Sequence, residues 1–318
     1  MKLVWIIGKG GLLGRALLQE YGATNDVQIY IPPSSIPWHD LDLFISEIQK
    51  SCEVFSVLSR PGPWEIFWVA GTASMASTQA ELNYENKLFK AFLAALAKSR
   101  LNFNDGLVFF ASSAGGVYAG SSDAIINEHS IPQPLTPYGK SKLEQEKELL
   151  QFARYSNLKG VLIGRISNLF GPSVKIQKNK GLIHQIINSI LTNTPISIFV
   201  PLDTKRDYLY SLDAAKIIIS AVNQLDLEQK EIIRIISAES SISIVELLCL
   251  CKKITRRNPR ILITRNNLSN IYRRSIQFKS IFSECPINNT QEHLASRIAQ
   301  TILAQRISSQ VTPRQQIG

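Results

Sequence analysis

Sulfur and imidazole are scarce in this chain: four cysteines and four histidines in 318 residues. Cys52, Cys249, Cys251 and Cys285 show no metal-ligand spacing, and Cys249 and Cys251 sit in an apolar helical stretch, LLCLCKK, where thiols serve as packing. Metal chemistry is not expected. Long apolar runs are also missing. The first, LVWII between Lys2 and Gly8, is too short for the apolar region of a signal peptide or for a membrane span, and nothing later approaches one. A soluble, cytoplasmic protein without membrane contact is expected. Internal repeats and long linkers are absent as well.

Acidic residues are in deficit, 25 Asp and Glu against 35 Lys and Arg, for a net charge of +10. Basic clusters lie late in the chain, at KKITRRNPR (252–260) and YRR (272–274). A solvated basic face and attraction of a phosphorylated substrate both fit. Nucleic-acid binding is not expected, because the clusters lack interleaved aromatics and any recognised binding motif. Hydrophobic content of 45% with 19% charged residues is globular, and the length suffices for one large α/β domain or two lobes.

Short β-favouring runs alternate with amphipathic stretches through the first half. LVWII (3–7), VQIYI (27–31), EIFWVA (65–70), LVFFAS (107–112) and GVLIG (160–164) read as strands buried on both faces. Segments 12–22, 41–51, 81–99 and 142–155 carry helical spacing. This alternation specifies a doubly wound parallel sheet with right-handed crossovers. Beyond Gly171-Pro172 helices are expected near 181–192, 212–224, 243–254 and 292–307, with strands at ISIFV (196–200) and IIRIIS (232–237). Two units follow: a dinucleotide-binding domain over 1–172 with returning segments near 207–237, and a smaller, discontinuous lobe from 173–206 and 238–318, its last residues, 308–318, frayed.

Two constellations carry chemistry. IIGKGGLLGRALL (6–18) spaces Gly8, Gly11 and Gly14 by three where a strand turns into a helix. Gly8 permits the turn, Gly11 lets backbone N–H groups approach a pyrophosphate, and Gly14 lets helix pack on strand, with the anion on the helix N-terminus. TPYGKSKLEQE (136–146) places Tyr138 and Lys142 four apart just after Pro137, stacking both on one helix face.

The Gly-x-x-Gly-x-x-Gly loop together with Tyr138-x-x-x-Lys142 resembles the extended branch of the short-chain dehydrogenase/reductase superfamily, the NAD-dependent sugar epimerase/dehydratase family, with a Rossmann-type fold. Further motifs recur in the family's order: HDLDL (39–43), FWVAGTAS (67–74), SSAGGVYAG (112–120), GRISNLFGP (164–172) and KRDYLYSLDAA (205–215). The resemblance implies that Tyr138, Lys142 and Ser113 are catalytic. It implies that Gly8, Gly11, Leu12, Leu13, Gly14, Asp40, Leu41, Ala70, Gly71, Tyr138 and Lys142 hold NAD or NADP, with Asp40 at the adenine and the 67–74 loop following the fourth strand. It places Asn168 and Arg206 on a nucleotide-sugar substrate. It also implies a homodimer through the helices around 81–99 and 138–155, where Phe89, Phe92 and Leu96 fit an interface or face the sheet. A phenol is a poor base at neutral pH, with an ordinary pKa of about 10. A neighbouring ammonium and an oxidised nicotinamide both favour the phenolate.

Three departures shape the expectation. The family's Ser or Thr three positions before Val117 is Ala114, so Ser113 must stand in. Gly115 and Gly116 replace the Asp-Glu pair of the 4,6-dehydratases, which disfavours elimination. QIYIPPSS (28–35) has neither an acid for an adenosine ribose nor a base for a 2′-phosphate, and Lys9 is as well explained by solvation, so NAD and NADP stay open. The expected function is a nucleotide-sugar epimerase or keto-reductase. The rival is a catalytically weak member serving as a cofactor-dependent sensor, scaffold or binding protein.

Overall fold

The computed structural model describes residues 1–60, 62–172, 181–225, 230–264, 274–282 and 290–311. Its strands are β1 (Lys2–Ile7), β2 (Val27–Tyr30), β3 (Trp64–Trp68), β4 (Gly106–Ser113), β5 (Ile125–Ile126), β6 (Gly160–Ile166), β7 (Asn168–Phe170), β8 (Ile196–Ile198), β9 (Lys205–Tyr210), β10 (Glu231–Ile236), β11 (Ser241–Ser243), β12 (Ile261–Ile263) and β13 (Gln277–Phe278). Its helices are α1 (Leu12–Tyr21), α2 (Leu41–Leu58), α3 (Gln79–Lys98), α4 (Ala114–Val117), α5 (Pro137–Ser156), α6 (Leu182–Thr192), α7 (Ser211–Asn223), α8 (Ile244–Thr255) and α9 (Gln291–Val311).

Six strands pair in the order β10-β6-β4-β3-β1-β2, every pair parallel. The continuous apolar runs are buried on both faces, as a sheet covered by helices on each side requires. One face packs Trp5, Trp64, Trp68, Val108 and Phe110 against α2, α3 and α5. The other packs Val4, Ile6, Phe67 and Phe109 against α1 and α7. The chain leaves β1 for β2 on one side and returns to β3 on the other, so its direction of winding reverses between β1 and β3. In open α/β sheets a ligand crevice forms at such a reversal, outside the strands' carboxyl ends.

A third core joins β7, β9 and β11 to α6, α8 and α9 around Phe170, Ile186, Tyr208, Tyr210, Leu247 and Ile298. The ISIFV segment does not enter the main sheet. Its strand is confined to Ile196–Ile198, which pairs in parallel with β12.

Two expectations need correction, and one open alternative is decided. The 67–74 loop follows the third strand of the chain, not the fourth, because the backbone passes from β2 through a proline-rich loop directly into α2. Phe89, Phe92 and Leu96 are fully buried and face the sheet, with Phe92 stacked on Trp68 at 4.6 Å between ring centroids. They are not available to a second copy, and neighbouring outward positions of α3 include Lys90, paired with Glu144 and Glu148 of α5. The helix expected to end near 307 continues to Val311. Residues 312–318, Cys285, Tyr272 and Arg273 lie outside the described residues.

Candidate active site

Helix α5 sets the phenol and the ammonium in place. The Thr136 hydroxyl accepts the Gly139 N–H at 3.2 Å, Pro137 occupies the first turn, and Asn157 closes the helix in the left-handed region. Tyr138 therefore falls in the first turn, partly exposed, and Lys142 one turn deeper, buried. The start of α5 lies flush on α4: a Cβ at Gly139 would stand 2.1 Å from the Gly116 carbonyl oxygen. Gly116 in turn packs under Tyr138. A Cβ there would be 3.0 Å from Cδ1 and 3.1 Å from Cε1 of the Tyr138 ring, and 3.3 Å from Ser113 Oγ. The lack of a side chain at position 116 thus lets the phenol and the Ser113 hydroxyl share one corner.

Ser113 ends β4 and caps α4, accepting the Gly116 N–H at 3.2 Å. Ala114 is fully buried with Val117 and Tyr118. Its side chain lies in a core beneath the site, which explains why an apolar residue is tolerated there. Ser112 points elsewhere, donating to Glu146 Oε1.

Lys142 Nζ is 3.2 Å from Glu85 Oε1, donates to Gln145 Oε1 at 3.0 Å, and lies 5.9 Å from the Tyr138 ring centroid and 5.4 Å from that of Phe110. Burial pulls this ammonium down, but the Glu85 carboxylate and Tyr138 outweigh it, and the net direction is above the ordinary lysine value.

At the crevice, Gly8 has φ of +98° and a Cβ there would meet Ala70 N at 2.6 Å. The β1 and β3 loops approach as closely as backbone allows. A Cβ at Gly14 would strike the Gly8 carbonyl oxygen at 2.3 Å, so the helix packs directly on the turn. Gly11 is the N-cap of α1 and supplies no side-chain cap to its first turn, where Leu12 and Leu13 lie. That leaves an uncapped helix N-terminus framed by glycine, a cradle suited to a pyrophosphate. Contacts run on from it without a break: Gly8 to Ala70, Gly71 to Glu85, Glu85 to Lys142, and Lys142 to Tyr138.

Asp40, expected at an adenine, caps α2 by accepting the Leu43 N–H at 3.0 Å through Oδ1, with Leu41 opening that helix. Asn168 and Arg206 lie on the same small sheet, Asn168 in register with Tyr208 and Arg206 with Ile242. Asn168 Nδ2 donates to the Asp207 carbonyl at 2.8 Å, and Arg206 Nη1 donates to the carbonyls of Lys205 and Arg274.

Sequence reasoning missed a buried ion pair that ties α5 to β6. Arg165 of β6 holds Glu146 of α5 through Nε at 3.1 Å and Nη2 at 2.7 Å, and donates from Nη1 to the Tyr118 hydroxyl. A lone arginine in the apolar run GVLIGRI is a signal for such a partner, since charges are rarely buried unpaired. Glu85 and Gln145 were missed as well.

A family model described as the NAD dependent epimerase/dehydratase family matches residues 4–235. The chain belongs to that family. The dTDP-4-dehydro-6-deoxyglucose reductase of Escherichia coli is 28% identical over 258 residues, covering 77% of this chain and 79% of the relative. The UDP-glucose 4-epimerase of Thermotoga maritima, solved with UDP-glucose, superposes with a TM-score of 0.76 at 20% identity, over 97% of this chain and 100% of the other. The UDP-glucose 4-epimerase of Thermus thermophilus, solved with NAD, gives a TM-score of 0.73 at 17% identity, over 96% and 99%. Those two likenesses establish the fold.

Proposed function

We propose that this chain is a nucleotide-sugar epimerase or keto-reductase in which Tyr138 exchanges the substrate proton. The observation that carries the reading is the corner made by Tyr138, Ser113 and Gly116, with the Lys142 cation one helical turn away and the glycine cradle joined to it by continuous contacts. Kinship with a sugar-nucleotide reductase over most of the chain supports the substrate class. The expectation of NAD or NADP fits the glycine cradle, since side chains at Gly8 or Gly14 would strike the backbone that shapes it.

A bound nicotinamide would supply the hydride acceptor and donor. The chain's residues do the rest. Gly8, Gly11, Leu12, Leu13 and Gly14 hold the pyrophosphate, while Ala70 and Gly71 line the middle of the dinucleotide. Tyr138 Oη takes the hydroxyl proton of the sugar as its carbon is oxidised, and returns it on reduction. Ser113 steadies the same oxygen. Lys142 stabilises the phenolate as it forms and holds the nicotinamide ribose. Asn168 and Arg206 meet the substrate's nucleotide diphosphate. Gly115 and Gly116 bring no carboxylate to Tyr138, which favours redox exchange over elimination of water.

The test is a screen of UDP-, dTDP-, GDP- and CDP-sugars and their 4-keto forms with either dinucleotide, followed by absorbance at 340 nm and product analysis by NMR. One of them should be epimerised or reduced, and Tyr138→Phe should abolish that turnover. A Tyr138→Phe protein as active as the parent would refute the assignment.

A further inference from the structure

The carboxylate of Glu85 has no role in the chemistry above, yet it is built into the centre of the site. Its side chain is 12% exposed. Oε1 pairs with Lys142 Nζ at 3.2 Å, while Oε2 accepts the N–H groups of Thr72 and Ala73, both at 3.1 Å. One carboxylate from α3 thus joins two walls of the crevice, the loop after β3 and the buried turn of α5. The backbone is shaped to admit it. Gly71 has φ of +152°, and a Cβ there would come within 2.9 Å of Glu85 Oε1.

The other groups around Lys142 do not share this task. On α5 itself, Gln145 is neutral, and Glu146 pulls Lys142 in the same direction as Glu85 but less strongly, with both its oxygens committed to Arg165 from β6. From β4 come the Phe110 ring and Ser112, whose hydroxyl is committed to Glu146. Near α4 stand Ser113 and Tyr118, the latter bonded to Arg165. Among the described residues, Glu85 is the carboxylate that balances Lys142 directly.

We propose that Glu85 is a positioning residue that sets how much positive charge Lys142 presents to Tyr138, and so fixes the pH window in which Tyr138 exchanges its proton. The proposal rests on the proton-exchanging role given to Tyr138 above. The carboxylate acts on two groups with one sign. It opposes the phenolate by offsetting Lys142, and it keeps Lys142 charged against the pull of burial. Replacing it with an amide removes both effects. Tyr138 then ionises more readily and Lys142 loses its proton more readily. The acid and alkaline limbs of the pH profile both move down. A purely structural role would lower the amplitude and leave the limbs in place.

Glu85→Gln keeps an acceptor oxygen for the Thr72 and Ala73 amides. Two measurements apply to it and the parent. The first is the tyrosinate absorbance of Tyr138, isolated by subtracting a Tyr138→Phe protein in each background, with no substrate present. The second is the pH profile of kcat/KM with whichever nucleotide sugar the parent turns over. Both should shift down by about one pH unit in Glu85→Gln. Unmoved or upward-shifted values would overturn the proposal. Glu85→Asp, which keeps the charge at shorter reach, should give a smaller downward shift, and it serves alone should Glu85→Gln fail to fold; an unmoved profile there is equally fatal. A tyrosinate shift without turnover of any nucleotide sugar would uphold Glu85's role and sink the substrate assignment. Turnover that depends on Tyr138, with limbs unmoved in Glu85→Gln, would sink the role of Glu85 alone.

Discussion

Replacing Asp207 with asparagine should change how stability depends on pH, and the direction follows from where that carboxyl sits. Asp207 is 1% exposed. Oδ1 accepts the Ser167 hydroxyl and the Ala238 N–H, Oδ2 accepts the Ser240 N–H at 3.2 Å, and its backbone carbonyl accepts Asn168 Nδ2. Burial pushes the carboxyl up from 3.8 to about 6, against the downward pull of the hydrogen bonds from Ser167, Ala238 and Ser240. Between those values the unfolded chain has released the proton and the folded chain retains it, so raising the pH favours unfolding. The stabilising contribution is complete below about 3.8 and lost above about 6. A gap of about two pH units corresponds to about 3 kcal/mol. The substituted amide cannot titrate, and it adds a cost that does not vary with pH. The stability of Asp207→Asn minus that of the parent should therefore climb by about 2 kcal/mol of that total between about pH 4 and about pH 6.5, read from urea midpoints in half-unit steps. Taking the difference removes the other carboxylates, which titrate alike in both proteins. A flat difference, or one that falls with pH, would show that three donors outweigh burial and would refute the reasoning.

Gly116→Ala should leave the melting temperature within a few degrees of the parent yet lower kcat about tenfold or more, because the new methyl displaces the Tyr138 ring by a few tenths of an ångström; unchanged kcat in a steady-state assay would disconnect that contact from catalysis. Glu146→Ala strands the buried Arg165 guanidinium and should cost about 3–5 kcal/mol in urea unfolding, with a loss below about 1 kcal/mol counting against the ion pair. Phe92→Ala should cost about 3–5 kcal/mol through the cavity left against Trp5 and Trp68, with no change in sedimentation. A lighter assembly with intact monomer stability would restore Phe92 to an interface.

The parts of this molecule that were readable in its sequence are those whose cause is local. Two of the three spaced glycines can be read because each answers a close approach within a few residues, Gly14 and Gly11 both with the Gly8 carbonyl, while Gly8 itself bends at a positive φ and answers Ala70 across the sheet. The start of α5 is readable because Thr136 and Pro137 mark a helix whatever else surrounds it. The apolar runs of β1, β3 and β6 announce a sheet covered on both faces before any partner is known. Asp40 carries two readings at once. The same Asp-Leu that suits an adenine contact is also a helix cap, and the shortened path from β2 to α2 gives it that second task.

Side-chain partnership across elements has no such local cause. Glu85 meets Lys142 from 57 residues away, and Arg165 meets Tyr118 from 47. Neither pairing is fixed until the sheet order places α3 beside α5 and β6 beside β4. The same reason decides Phe89, Phe92 and Leu96. On a helix that runs alongside another and over a sheet, apolar residues at spacings of three and four define one stripe, and the stripe does not name its partner. Seven aromatics on the sheet and α2 (Trp5, Tyr30, Phe44, Phe55, Trp64, Trp68 and Phe110) fill that face of the molecule, and with them packed there the stripe of α3 can only turn inward. What remains outward on α3 and α5 includes the lysine and glutamates of a surface ion-pair cluster. The aromatic load of β1 and β3, more than the pattern of α3 itself, is what assigns those residues to the core.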